Sequence, residues 1–188
     1  MSGRHAEGCH PALCGPVAQG AGARMIFRRL VPGDAALWRD IRLEALQNDP
    51  PAFATRYEEI ADRPLAFFAE MLAQANYHAG FDGGRAAGVM GWVAEPYMAA
   101  RHRAMLISVY IRPAWRGTGA AGQLLHHALA DAARHGIRQM ELGARAGDPR
   151  AVAFYKRHGF RPMGTIPDAF HHDGQSHDEL LMFRRLDA

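Results

Sequence analysis

Hydrophobic positions change their spacing several times along this chain, and each change marks an element. Met25 to Leu30 reads as a short strand, and Asp34, after Pro32-Gly33, stands where a helix to about Gln47 needs its N-cap. Leu37, Ile41 and Ala45 form the buried side of that helix. The run Asn48-Asp49-Pro50-Pro51 stops it. Ala52 to Asp62 then reads as a loop carrying Phe53, Arg56, Tyr57, Glu58 and Glu59, a suitable place for substrate contacts. A second helix begins near Pro64, with Leu65, Phe68, Leu72 and Ala75 at helical spacing, and ends near Asn76.

Beyond it the period shortens. Tyr77 to Phe81, the turn Asp82-Gly83-Gly84 and Arg85 to Glu95 carry the pattern of a β-hairpin. After Pro96 to Arg103, the nearly unbroken apolar run Ala104 to Ile111 (AMLISVYI) is that of a central strand covered on both faces, and Pro113 ends it. A glycine-rich stretch leads into a helix to about His135, whose apolar stripe is Ala121, Leu124, Leu125, Ala128 and Ala132, closed by Gly136. Gln139 to Ala144 is a strand, and Gly147-Asp148-Pro149 opens a helix through His158. Gly159-Phe160 opens a strand to roughly Ile166, Asp168 to His177 is a polar loop, and Asp178 to Leu186 is a last strand. The fold class is α/β (α+β), with a mixed central sheet of about six to seven strands flanked by about four helices.

Composition narrows this to one domain over residues 25–188: of 188 residues, 48% are hydrophobic and 22% charged, enough to bury a core. The formal charge is only +3, with no Lys/Arg stripe, so no nucleic-acid partner is expected. The apolar runs fall well short of the roughly 18 residues of a membrane span, so no membrane partner is expected and the expected location is cytoplasmic. Residues 1–24, rich in Gly, Ala and Pro and without a hydrophobic period, read as a disordered tail, and Met25, just before the first patterned segment, offers a second start, so whether the tail belongs to the native protein stays open. Cys9 and Cys14, with His5 and His10, are too loosely spaced for a metal clip, and no metal is expected.

The chemistry concentrates in Trp115-Arg116-Gly117-Thr118-Gly119-Ala120-Ala121-Gly122, which spells G-x-G-x-x-G. The spelling suggests a dinucleotide site, and Glu141 lies about 20 residues beyond it, where a ribose-binding acid belongs. Finer tests fail. Pro113 to Arg116 separate the glycines from the strand, Glu141 lies inside its own strand, and too few elements remain to complete a doubly wound sheet. Phosphate binding itself survives, because Gly117 and Gly119 leave backbone N–H groups unobstructed at a helix N-terminus and Arg116 adds charge.

Arg116-x-x-Gly119-x-Ala121, reached through Ile111-Arg112-Pro113-Ala114-Trp115-Arg116-Gly117, resembles the acetyl-CoA signature of the GNAT superfamily of N-acetyltransferases. Asp148-Pro149-Arg150-Ala151-Val152-Ala153-Phe154-Tyr155-Lys156-Arg157-His158-Gly159-Phe160 is similar to a second element of that family, with Asp where the family has Asn. The resemblance covers about Met25 to Leu186 and implies a GNAT fold with acetyl-CoA as cosubstrate. It implies that main-chain groups of Val109, Tyr110 and Ile111 pair with the pantetheine arm where strand four splays from strand five. It also implies that the amides of Gly117, Thr118, Gly119, Ala120, Ala121 and Gly122, with Arg116, hold the pyrophosphate, and that Tyr155 stands near the thioester sulfur. Asp148 either faces the cofactor or caps its helix. Gly122 reads as incidental to the motif.

Acetyl transfer needs a neutral amine, a stabilised oxyanion and a proton for the leaving thiolate. The Val109 N–H suits the oxyanion, and Tyr155 suits the thiolate or else is a buried helix-face aromatic. Glu95, Asp178 and Glu179 are candidates for the base, and Glu95 is named with Tyr155 as catalytic. His171, His172 and His177 read as a solvated loop. The acceptor is a primary amine of a small molecule or peptide. Glu58, Glu59, Asp168 and Asp173 favour a cationic one, Arg56 a carboxylate-bearing one. No nucleophile elbow is present, which favours direct attack in a ternary complex. A non-catalytic acyl-CoA-binding or sensing module is the rival, and the resemblance is compatible with a homodimer.

Overall fold

A computed structural model describes residues 25–186. The tail of residues 1–24, with both cysteines, lies outside the described residues. Strand β1 (Ile26–Arg29) leads through a turn at Pro32–Asp34 into α1 (Ala35–Asn48); α2 (Tyr57–Ile60) and α3 (Leu65–Gln74) follow. Next come β2 (Asn76–Asp82), β3 (Arg85–Ala94), β4 (Arg103–Ile111) and α4 (Ala120–Arg134). The chain closes with β5 (Gln139–Arg145), α5 (Pro149–Arg157), β6 (Arg161–His172) and β7 (Gln175–Arg185). These strands make one seven-stranded sheet in the order β1-β2-β3-β4-β5-β7-β6, antiparallel except for the β4–β5 pair. The α/β reading is that of the molecule, and the order of elements is the one expected apart from the additional short helix α2.

Three expectations change in detail. The Ala52 to Asp62 segment, read as a loop, holds the short helix α2, at whose start the Glu59 carboxylate accepts the Arg56 amide. Asp168 to His177 is not a loop: β6 and β7 form one long hairpin, with Phe170 opposite His177 and a tight turn at Asp173-Gly174, both in the left-handed region. Its alternation was hidden because β6 is an edge strand exposed over most of its length, so no apolar face marks it. Asp34 does precede α1, but its carboxylate turns away from the helix, accepting both Arg28 guanidinium nitrogens at 2.8 Å and the Val31 N–H at 2.9 Å.

Each face of the sheet carries a core. On one, α1 and α3 bring Trp38, Ile41, Leu46, Phe68 and Leu72 against Tyr77, Ala79 and Val89. On the other, α4 and α5 bring Leu124, Leu125, Leu129 and Tyr155 against Met90, Trp92, Met140 and Met182. The sidedness follows from strand alternation, which sends Tyr77 and Ala79 one way and His78 the other. No described helix is long and apolar enough to cross a membrane.

The sheet is not continuous across its centre. β4 and β5 pair only at Arg103↔Gln139, Ala104↔Met140 and Met105↔Glu141. Beyond that, β4 stays on β3 through a bulge, where Ile107 opposes Gly91 and Tyr110 opposes Val89 while Ser108 and Val109 fall out of register with β3. Ser108 takes φ 52°, uncommon for a residue with a side chain. β5 meanwhile pairs with β7 along its whole length to Arg145. The two inner edges therefore diverge, and a cleft opens between them.

His78 is buried beneath α4, with its Nε2 3.1 Å from Asp131 Oδ2. Burial pushes its pKa down to about 4 despite that carboxylate. The ring is thus neutral when folded but takes a proton below about pH 6.5 when unfolded, so stability is unaffected above that pH and falls as pH drops from about 6.5 towards 4. His127, also pushed down by burial, acts in the same direction. Urea unfolding between pH 7.5 and 4.5 should show a loss of up to about 1.4 kcal/mol per pH unit from each fully contributing histidine, and H78Q should flatten that slope.

Candidate functional site

The cleft is built from the ends of the diverging strands and two helix starts. A cavity of about 530 Å³ is lined by Val109, Tyr110 and Ile111 of β4, Gly143, Ala144 and Arg145 of β5, and Arg116, Gly117, Ala121, Asp148 and Tyr155. A second, of about 450 Å³, shares Pro51 to Phe53, Gly143 and Arg145 with the first and reaches Arg42, Tyr77, Ser108 and Glu179. The two meet where β4 leaves β5.

The glycine turn has the left-handed backbone that its spelling predicts. Gly117 and Gly119 take φ of 79° and 88°, and nothing lies within 4 Å of where a Cβ on Gly117 would project. Gly119 is the N-cap of α4 and offers no side chain to its first turn; a 3.4 Å contact from the Ala120 N–H to Thr118 Oγ1 is all that Thr118 adds. The first-turn amides are therefore open to an anion. Gly122 has a packing role: a Cβ there would lie 3.0 Å from the His158 ring, so its absence lets the end of α5 pack on α4.

Arg116 is half-exposed and already engaged. Its Nε donates to the Ile111 carbonyl at 2.9 Å and its Nη2 to Asp49 at 2.5 Å, with the guanidinium over the Tyr110 ring. The Tyr110 hydroxyl reaches α1, donating to Glu44 at 3.0 Å and accepting from Asn48 at 2.9 Å. The side chains of Tyr110 and Arg116 thus tie the cleft end of β4 to the C-terminal part of α1. Val109 lines the cleft at the bulge.

Tyr155 is 7% exposed and lines the first cavity. Burial, and then the Asp148 carboxylate, push its pKa far up, so it is a neutral hydroxyl, a proton donor, throughout the neutral range. Asp148 also lines that cavity, yet its Oδ1 accepts from the Arg150 and Ala151 amides at 3.0 and 3.1 Å, which makes it the cap of α5.

Other candidates separate cleanly. Glu95 lies just beyond β3, its amide bonded to the Arg103 carbonyl, six residues along β4 from Val109, roughly 20 Å of extended chain, and it lines neither cavity. Asp178 accepts the Asp168 amide inside the β6–β7 hairpin. Glu141, the acid of the dinucleotide reading, is buried and held by Arg103 at 2.5 and 2.7 Å, which lowers its pKa. Arg56 donates to the His171 carbonyl on the hairpin, and Glu59 accepts the Arg56 amide at the start of α2. His171 and His172 pair with Asp168 and Asp173, and no metal-ligand group forms among the described residues.

Glu179, one of the three base candidates, does reach the second cavity. Its side chain lies so close over Gly143 that a Cβ there would collide with its carboxylate, and burial raises its pKa. Arg42 was not anticipated. Its sequence signal was available: Trp38, Arg42 and Leu46 recur every fourth residue on the buried face of α1, so an arginine falls on an apolar stripe.

The profile of the acetyltransferase (GNAT) family matches residues 38–160. An uncharacterized N-acetyltransferase of Mycobacterium tuberculosis is 36% identical over 81 residues, 43% of this chain and 51% of that protein. The chain spans about half the length of the curated relatives it matches. A GNAT-family acetyltransferase from Streptococcus pneumoniae superposes with TM-score 0.75 at 22% identity, over 86% of this chain and 99% of its own. A Salmonella typhimurium protein solved with its cofactor acetyl-CoA gives TM-score 0.74 at 22% identity, over 88% of this chain and 95% of that one. At such identities the likeness is one of fold.

The Asp148 cap is separable by mutation. D148A should lower stability by about 1 kcal/mol, read as a drop in Tm, whereas D148N, which keeps a cap oxygen, should melt close to the parent. Equal losses in both would show that the negative charge, not the cap, is what matters there.

Proposed function

The chain belongs to the acetyltransferase (GNAT) family, and from that premise we propose that it transfers the acetyl group of acetyl-CoA to a primary amine by direct attack in a ternary complex. The observation that carries this is the divergence of β4 from β5, with a cavity running from the gap to the glycine turn. Both ends of a CoA-type cosubstrate find matching chemistry there. Its pantetheine amides would add to the unpaired inner edge of β4, as a strand adds to a sheet edge. Its pyrophosphate would meet the open amides of residues 117–122 and the Arg116 charge.

The reacting end would lie near Val109 and Tyr155. The Val109 N–H, outside the β3 ladder, would donate to the acetyl oxygen as negative charge collects on it. The Tyr155 hydroxyl would hand its proton to the departing sulfur. The acceptor would approach through the second cavity, which meets the first at Gly143 and Arg145.

Acetyl-CoA binding followed by calorimetry, and CoA thiol release with an amine panel, test this together. Y155F should keep acetyl-CoA affinity within about threefold while losing about 10²- to 10⁴-fold in kcat, the range of a positioned proton donor. Tight acetyl-CoA binding with no turnover of any amine would instead make the chain a sensing module.

A further inference from the structure

The second cavity contains a charge that cosubstrate binding leaves unused. Arg42 is 6% exposed, lines that cavity and lies 4.8 Å over the Phe53 ring. Its Nε and Nη1 are buried without a hydrogen-bond partner among the described residues. Desolvation lowers its pKa, but a guanidinium stays protonated. Arg103, Arg112 and Arg116, by contrast, each have a carboxylate: Glu141, Glu44 and Asp49. A buried charge with no counter-charge is strongly unfavourable, so Arg42 sits where an incoming anion is worth most. From β7 the same cavity receives one carboxylate, Glu179, packed over Gly143 at the seam with the first cavity.

We propose that the acceptor is an amine carrying its own carboxylate, a compound of the amino-acid class, with its carboxylate received by Arg42 and its amine by Glu179. The proposal rests on the acetyltransferase reading above. Glu179 takes one proton from the ammonium group. The N–C bond then forms as the C–S bond breaks, and sulfur takes the Tyr155 proton. The second proton leaving nitrogen restores the Tyr155 hydroxyl, and Glu179 releases its proton to solvent.

The test measures thiol release at saturating acetyl-CoA for the twenty L-amino acids, their carboxamides, and phenethylamine, tyramine and spermidine as carboxylate-free amines. The best amino acid should exceed its carboxamide by at least about 50-fold in kcat/KM, mainly through KM, although the carboxamide has the less basic amine. R42Q should shrink that preference below about fivefold, and E179Q should lower kcat more than about tenfold with the acetyl-CoA Kd retained. R42Q removes an unpaired buried charge and should melt no lower than the parent. If it fails to fold, a rise in parent Tm with the amino acid and not with its carboxamide supports the proposal, and equal shifts overturn it. Equal use of acid and carboxamide, a preference that survives R42Q, or one lost in R145Q alone each sink the assignment. Turnover of carboxylate-free amines only leaves the acetyltransferase reading standing and removes this one. No turnover of any amine removes both.

Discussion

Everything in the cleft depends on β4 leaving β5 after three paired residues. A buried backbone edge is costly unless its N–H and C=O groups find partners. Here each strand keeps its outer ladder, β4 with β3 on either side of the bulge and β5 with β7 throughout, and gives up most of the inner one. The bulge at Ser108–Val109 is what turns β4 aside, at the cost of a left-handed backbone at a serine. The inner edges beyond Met105 and Glu141 are then unpaired with each other, and they line the space that a strand-like ligand would fill.

Both ends of this divergence are tied by ion pairs with different characters. At the closed end Arg103 grips Glu141 with two hydrogen bonds, Gln139 adds a third, and the His102 carbonyl accepts the Arg138 and Gln139 amides. At the open end β4 is drawn towards α1: Tyr110 bonds Glu44 and Asn48, Arg112 bonds Glu44, and Arg116 bonds Asp49. The first clamp anchors a partly exposed arginine on the buried Glu141, where β4 and β5 still pair. The second is half-exposed and belongs to the last turn of α1, so the width of the cleft is coupled to the position of that helix.

Legibility in the sequence followed how local each cause was. Helices and central strands were readable because one face of each is apolar at a fixed period. The glycine turn was readable because left-handed φ at residues 117 and 119 leaves few other residues possible. β6 was only half seen, since an exposed edge strand carries no alternation, and its far half read as loop. Glu95 was named from its place at a strand end, but which end of a sheet faces the cleft is decided by register with β4, a nonlocal fact. Glu179 was among the base candidates and could not be told from Asp178, because neighbours on a strand point to opposite faces and only the pairing with β5 says which face is which. Asp148 left two roles open, and the amide bonds at the start of α5 fill one of them.

Proton transfer within such a cleft has a consistency requirement that burial itself meets. A tyrosine whose pKa is raised by desolvation is, taken alone, a poorer donor to a thiolate whose ordinary conjugate acid has a pKa near ~8.5. The thiolate would form in the same water-poor space, however, and desolvation disfavours its charge as it disfavours phenolate. Both affinities for the proton move upward together, so the transfer is not made uphill by the environment that raises Tyr155. What burial adds is selectivity of timing. In the proposed transfer the hydroxyl would remain protonated and uncharged while the cleft is filled, and it would give up the proton only when the C–S bond breaks and negative charge appears beside it. The same logic separates the two cavities. In the first, fixed dipoles of main-chain amides would receive anions without a net buried charge, and Arg116 is balanced by Asp49; in the second, selectivity would fall to Arg42, a charge without an ion-pair partner among the described residues.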